Sequence, residues 1–127
     1  MSLNYIMLGS NDVATARLFY DAVFPVIGGK LIAEYMPNAF CYELRDGGRV
    51  WISNPFNNET ATPGNGNMAG FLCSNKEEVD AVYKKALAEG ATDEGSPGPR
   101  PLYGPDFYGS YIRDLDGNKM SFVHFGD

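Results

Sequence analysis

The chain has 127 residues, 44% apolar and 20% charged, which is the balance of a water-soluble domain long enough to bury one core. Its 16 acidic residues against 10 basic ones leave a net charge of −6, which repels phosphate backbones and argues against nucleic acid as a partner. No apolar run approaches the ~20 residues of a membrane span, and the N-terminal residues lack the basic start and long apolar stretch of a secretion signal. No membrane partner and a cytoplasmic location are therefore expected.

In chain order, an apolar strand ending in Ser-Asn (MLGSN, residues 7–11) comes first. Asn11 or Asp12 then caps a helix whose buried stripe is Val13, Ala16, Phe19, Tyr20, Val23 and Phe24, recurring at helical spacing. Pro25 and Gly28-Gly29 end it. A strand follows near residues 31–35. Residues 42–52 (YELRDGGRVWI) read as strand, turn, strand around Asp46-Gly47, because Asx and Gly tolerate the positive φ of tight hairpins. Residues 57–66 lie within a stretch rich in Asn, Gly, Pro and Thr and read as a connector.

The pattern then repeats. Residues 71–75 (FLCSN) match residues 7–11, with Ser10 set against Ser74. Ser74 and Glu77 read as a capping box for a second helix, buried through Val79, Val82, Tyr83, Ala86 and Leu87 and stopped by Gly90. Tyr20 matches Tyr83, and Asp46-Gly47 matches Asp116-Gly117. The widening separation places extra residues in the second half. These are residues 96–105 (SPGPRPLYGP), whose four prolines predict a stiff, extended loop. A short strand near 107–108 and a strand-turn-strand over 111–122 complete the copy. The chain is thus expected to be one α+β domain over 1–127, made of two βαβββ modules at about 1–56 and 67–127.

Cys41 and Cys73 sit in apolar strand-like stretches, too few and too far apart for a zinc motif, and are expected to be buried thiols. No serine lies in a Gly-x-Ser-x-Gly context, and no glycine run has phosphate-loop spacing. The sole histidine, His124, cannot build a multi-histidine site in one chain. By strand alternation it faces away from Ser121.

Three pieces of the sequence resemble the vicinal oxygen chelate superfamily of glyoxalases, bleomycin resistance proteins and extradiol dioxygenases. They are Ser10-Asn11-Asp12 ahead of ARLFYD (16–21), VDAVY (79–83) with ALAEGA (86–91), and RDLDGNKM (113–120), in which Leu115 replaces a usual proline. The proline-rich loop is similar to that of a small glyoxalase-like subgroup. The resemblance implies an open, cup-like curved sheet with helices outside and a ligand inside, and it implies a homodimer.

It also implies four inward positions that in metal-dependent members hold a divalent ion. Here they fall at Tyr5, Met68, Trp51 and Ser121. A phenol is mostly protonated at neutral pH, a thioether is a soft ligand, and an indole has no lone pair to give. No metal and no cofactor are therefore expected. An aromatic pocket for a small molecule is expected instead, with Tyr5, Met7, Trp51, Met68, Arg100, Tyr103, Phe107, Tyr108 and Ser121 in its wall. Arg100 is set either to grip a carboxylate or phosphate or to pair with Asp106 or Glu94. Three functions stay open: a metal-free binding protein, a metal-free lyase or isomerase with Tyr5 or Tyr103 as general acid, or a metal enzyme with relocated ligands.

Overall fold

The computed structural model describes residues 2–126. The first half runs β1 (Tyr5–Gly9), α1 (Val13–Val23), a 3-10 turn (Phe24–Ile27), β2 (Lys30–Tyr35), β3 (Ala39–Glu43) and β4 (Arg49–Ser53). The second runs β5 (Ala69–Leu72), α2 (Lys76–Ala88), β6 (Thr92–Pro99), a 3-10 turn (Pro101–Tyr103), β7 (Phe107–Arg113) and β8 (Lys119–Phe125). Each half forms a four-stranded sheet, in the orders β1-β4-β3-β2 and β5-β8-β7-β6. In both, the first strand pairs in parallel and the others antiparallel. The fold is α+β, and neither sheet closes on itself. None of the helices is long and apolar enough to cross a membrane.

Alternation divides each sheet into two faces. On β4, Val50 and Ile52 are buried toward the helices, while Arg49, Trp51 and Ser53 stand on the open face. The helix-side residues of both sheets share one core: Phe19, Tyr20 and Phe24 pack in the same cluster as Phe71, Val79 and Phe122. Phe24 meets Phe71 edge-on at 5.4 Å between ring centres. Burying each such ring contributes roughly 1.5–3 kcal/mol, so the halves hold one another in place through this cluster.

Polar clasps reinforce the packing symmetrically. The β3–β4 hairpin sends Arg45 onto Glu78, at 2.7 and 2.8 Å, and onto Ser74 at the start of α2. The β7–β8 hairpin places the buried carboxylate of Asp114 to accept from the Tyr20 hydroxyl of α1, and Asp116 Oδ1 accepts from the Asn11 amide. Asn118 Nδ2 donates to the Gly9 carbonyl at 2.9 Å. Each hairpin thus grips the other module's helix.

Three expectations need correction. The repeat is one residue out of step at its start: Ser10 N–H donates to Ser53 O as Cys73 N–H donates to Val123 O, so Ser10 corresponds to Cys73, not Ser74. The cap of α2 moves with it, Asn75 accepting from the Glu78 amide while the Glu78 carboxylate accepts from the Ser74 amide. Asp12 caps α1. The third correction is larger. The start of the proline-rich stretch, residues 96–99, belongs to the strand β6, and residues 107 and 111 belong to one continuous strand, β7. β6 lies at the sheet edge and is broken by two register shifts, the setting in which proline and glycine are tolerated in a strand.

Candidate functional site

The open faces of the two sheets meet along β1 and β5, which share no backbone ladder. On the first sheet Met7 pairs with Trp51 across β1 and β4, and Tyr5 precedes it by one pleat. Tyr35 lies across the face of Trp51, with ring centres 6.0 Å apart and planes 13° apart. Tyr5, Met7 and Tyr35 are each more than half exposed, an unusual state for large apolar groups on a sheet. This wall is aromatic and thioether in character. Its one charged pair, Arg49 with Glu43, is closed on itself.

On the second sheet Ser121 pairs with Gly70 on one side and Tyr111 on the other, and Tyr111 pairs with Gly95. Arg100, just beyond β6, lies over the Tyr111 ring at 5.6 Å, and Lys119 approaches the same ring at 5.9 Å. The guanidinium is held by the carbonyls of Ser96, Gly98 and Pro99, at 2.8–3.2 Å. Gly95 makes room for this stack, since a Cβ there would come 3.1 Å from Tyr111 Cδ2 and 3.3 Å from Arg100 Nη2. Phe107 is folded flat over Gly109, where a Cβ would lie 2.9 Å from its Cζ, and it packs edge-on against Tyr103 and Phe125.

The seam itself is hollow at both ends. A cavity of about 260 Å³ opens between Tyr5, Ile6, Ile27, Val50, Phe71 and Leu72. A second, of about 360 Å³, lies between Met7, Pro63, Met68, Asn118 and Lys119. The second cavity brings Met7 of one wall beside Lys119 of the other.

Of the residues expected in the wall, Tyr5, Met7, Trp51, Arg100, Phe107 and Ser121 stand on or against the open face. Met68 lines the seam just before β5. Tyr103 is exposed at the rim. Tyr108 does not belong with them. It points to the helix side, where its hydroxyl donates to Asp80 at 2.7 Å, a bond that pushes its pKa up to about 12. Phe107 and Tyr108 are neighbours on one strand, so alternation sends them to opposite faces. Arg100 pairs with neither Asp106 nor Glu94, because Glu94 is taken by Arg113 at 3.1 Å. Tyr111 and Lys119 were missed, although strand alternation from Ser121 reaches Lys119 directly.

The four positions that could hold a metal do not fit one. Tyr5 and Met68, Trp51 and Ser121 keep corresponding places on the two sheets, but they supply a phenol, a thioether, an indole and a hydroxyl. Among the described residues no three His, Cys, Asp or Glu side chains converge elsewhere. His124 Nδ1 lies 3.2 Å from the Cys73 carbonyl, on the side of β8 away from Ser121. Both cysteines are free and buried, and burial raises their pKa values, that of Cys73 to about 12. Neither is a ready nucleophile.

The family profile described as glyoxalase/bleomycin resistance protein/dioxygenase superfamily matches residues 2–122. A crystal structure of a glyoxalase/bleomycin resistance protein from Albidiferax ferrireducens T118 is 33% identical, covers 98% of each chain and superposes with a TM-score of 0.85. A glyoxalase/bleomycin resistance protein/dioxygenase family enzyme from Burkholderia phytofirmans PsJN is 20% identical over 98% of this chain and 99% of its own, with a TM-score of 0.77. A lactoylglutathione lyase from Agrobacterium tumefaciens shares the fold at 18% identity and a TM-score of 0.69, over 97% of this chain and 92% of its own. No curated protein matches the chain significantly.

Proposed function

Since the chain belongs to the glyoxalase/bleomycin resistance protein/dioxygenase superfamily, we propose that it binds a small organic molecule on the joined open faces without the help of a metal ion. The observation that carries this reading is the donor set. The first sheet offers Tyr5, Met7, Trp51 and Tyr35 at positions facing the cup, and the second offers Tyr111 beside the buried Ser121. Such a surface is mostly apolar with a few fixed polar groups, which is the usual make-up of a small-molecule site. Among the described residues no set of carboxylates and imidazoles converges there as a divalent ion requires, and Glu43 is paired with Arg49.

The binding reading also fits the state of the cysteines and the histidine among the described residues. The cysteines are buried with raised pKa values, and the His124 ring lies against the Cys73 carbonyl on the side of β8 away from Ser121. A homodimer belongs to the same proposal. Tyr35 and Ile32 on the edge strand β2, with Phe56 in the connector and Leu102 in the second 3-10 turn fully exposed, leave apolar surface that a second copy would cover. Sedimentation at high concentration is expected to give twice 13.9 kDa, and a purely monomeric species would remove this part. Elemental analysis of tag-free protein purified without chelators tests the main reading. It is expected to find no stoichiometric transition metal, while a thermal-shift screen of aromatic small molecules finds stabilising ligands. A tightly held ion, or a screen with no binder, would refute it.

A further inference from the structure

We infer that the ligand carries an oxyanion, a carboxylate or a phosphate, which docks between Arg100 and Lys119 while its flat apolar body lies toward Met7 and Trp51. The inference rests on the proposed binding site and names the chemistry that the site selects. It starts from a charge imbalance. Acidic residues outnumber basic ones 16 to 10 in this chain, so an arginine without a carboxylate partner needs a reason. Arg17 pairs with Asp21 and Glu34, Arg45 with Glu78, Arg49 with Glu43 and Arg113 with Glu94. Arg100 is the one arginine that forms no ion pair among the described residues, and it is half-buried.

The surroundings of Arg100 are built to hold that charge in place rather than to neutralise it. Three carbonyls fix the guanidinium, using three of the five donor hydrogens an arginine carries. Proline on both sides stiffens the chain, and Gly95 leaves the space for the stack on Tyr111. The remaining N–H groups keep their positive potential for an incoming acceptor. Lys119 brings a second positive charge to the same ring, and what sets it apart from the other lysines without an ion pair, Lys30, Lys76 and Lys84, is this approach to Tyr111 beside Arg100. Two half-buried cations about one phenol ring repel one another, and a bound oxyanion relieves that repulsion.

The path from cation to aromatic wall is continuous. Arg100 touches Tyr111, Tyr111 meets Lys119, and Lys119 shares the seam cavity with Met7. Met7 pairs with Trp51, which stacks on Tyr35. A molecule with a flat body and one anionic end matches this order of surfaces, whereas a neutral or cationic molecule leaves the pair of cations uncompensated.

Trp51 is the single tryptophan, so its fluorescence reports occupancy of the wall directly. Four matched probes separate the possibilities: phenylacetate, phenyl phosphate, phenylacetamide and benzyl alcohol, titrated at pH 7 and low salt. One or both anions are expected to bind at least ten-fold more tightly than the neutral pair, and which of them binds better identifies the oxyanion. R100Q and K119Q should each weaken the preferred anion by about ten-fold and leave the neutral probes unchanged. Equal binding of all four, unaffected by either substitution, would overturn the oxyanion assignment and leave the pocket standing. No response from any probe, with W51F and wild type melting alike in their presence, would overturn the pocket and the assignment together.

Discussion

The two modules share a topology but not a surface. Facing the open side, the first places Met7, Trp51 and Tyr35, and the second places Ser121, Tyr111, Lys119 and Arg100 over a floor that includes Gly70, Gly95 and Gly109. On the helix side the same two modules are alike, each burying Phe, Val and Ile against one helix and clasping the other module's helix through its hairpin. The two modules therefore agree on the face that folds and differ on the face that meets solvent. The difference teaches where function resides: packing constrains the core positions of both copies in the same way, while the open positions are free to become an apolar wall in one and a cationic wall in the other.

The clasps offer the largest test of the shared side. Asp114 accepts from Tyr20, from the Asn118 side chain, and from the amides of Asp116 and Asn118. Asp114→Ala strands these donors and should cost roughly 2–4 kcal/mol in chemical denaturation. A loss below ~1 kcal/mol would mean the hairpin does not bind the modules together. Next in size is Gly109→Val, which evicts Phe107 from the strand it covers. A penalty of about 1–3 kcal/mol is expected, together with loss of the Tyr103 and Phe125 packing in side-chain NMR.

The clasps also differ in how they respond to acid. Burial raises the Asp114 pKa, so its neutral form is favoured in the fold. Its contribution is complete below the ordinary carboxylate pKa of about 3.9 and is lost as pH rises through the raised value. The hydrogen bond from Arg45 lowers the Glu78 pKa. Its contribution is present above about 4.3 and is lost as pH falls through the lowered value. Stability measured from pH 3 to 8 should change slope in opposite senses in Asp114→Asn and Glu78→Gln. The Glu78 effect is the smaller, about 1 kcal/mol or less, because Arg45 is nearly half exposed. Identical profiles for both variants would show that the clasps are electrostatically equivalent after all. The mildest expectation concerns the thiols: Cys41 and Cys73, buried and with raised pKa values, should resist alkylation in the native protein and react fully once it is unfolded.

Much of this arrangement was legible in the residues. The stripe Val13–Ala16–Phe19–Tyr20–Val23 gave the first helix because its spacing is set by burial, and the four cup positions at Tyr5, Met68, Trp51 and Ser121 followed from the family resemblance. What could not be read had physical causes. β6 is an edge strand, and an edge strand needs no inward amide from a proline, so Pro97 and Pro99 disguise it as a loop. Splitting β7 at Tyr108 then turned that residue toward the wrong side and hid Tyr111, which shares its face with Phe107. The cationic wall was half visible in Arg100. Lys119 shares its face with Ser121 by alternation, and the strand register brings it to Tyr111. The one-residue offset at Ser10 arose because Ser-Asn recurs in both halves, although the second copy starts its helix one residue earlier in the motif.

The central claim is that the open faces bind their ligand through side chains alone. Its most direct test is a Trp51 fluorescence titration with an aryl carboxylate or phosphate before and after exhaustive treatment with a strong chelator. Unchanged affinity and amplitude are predicted. Binding that disappears on chelation and returns when a divalent transition metal is added back would contradict the claim.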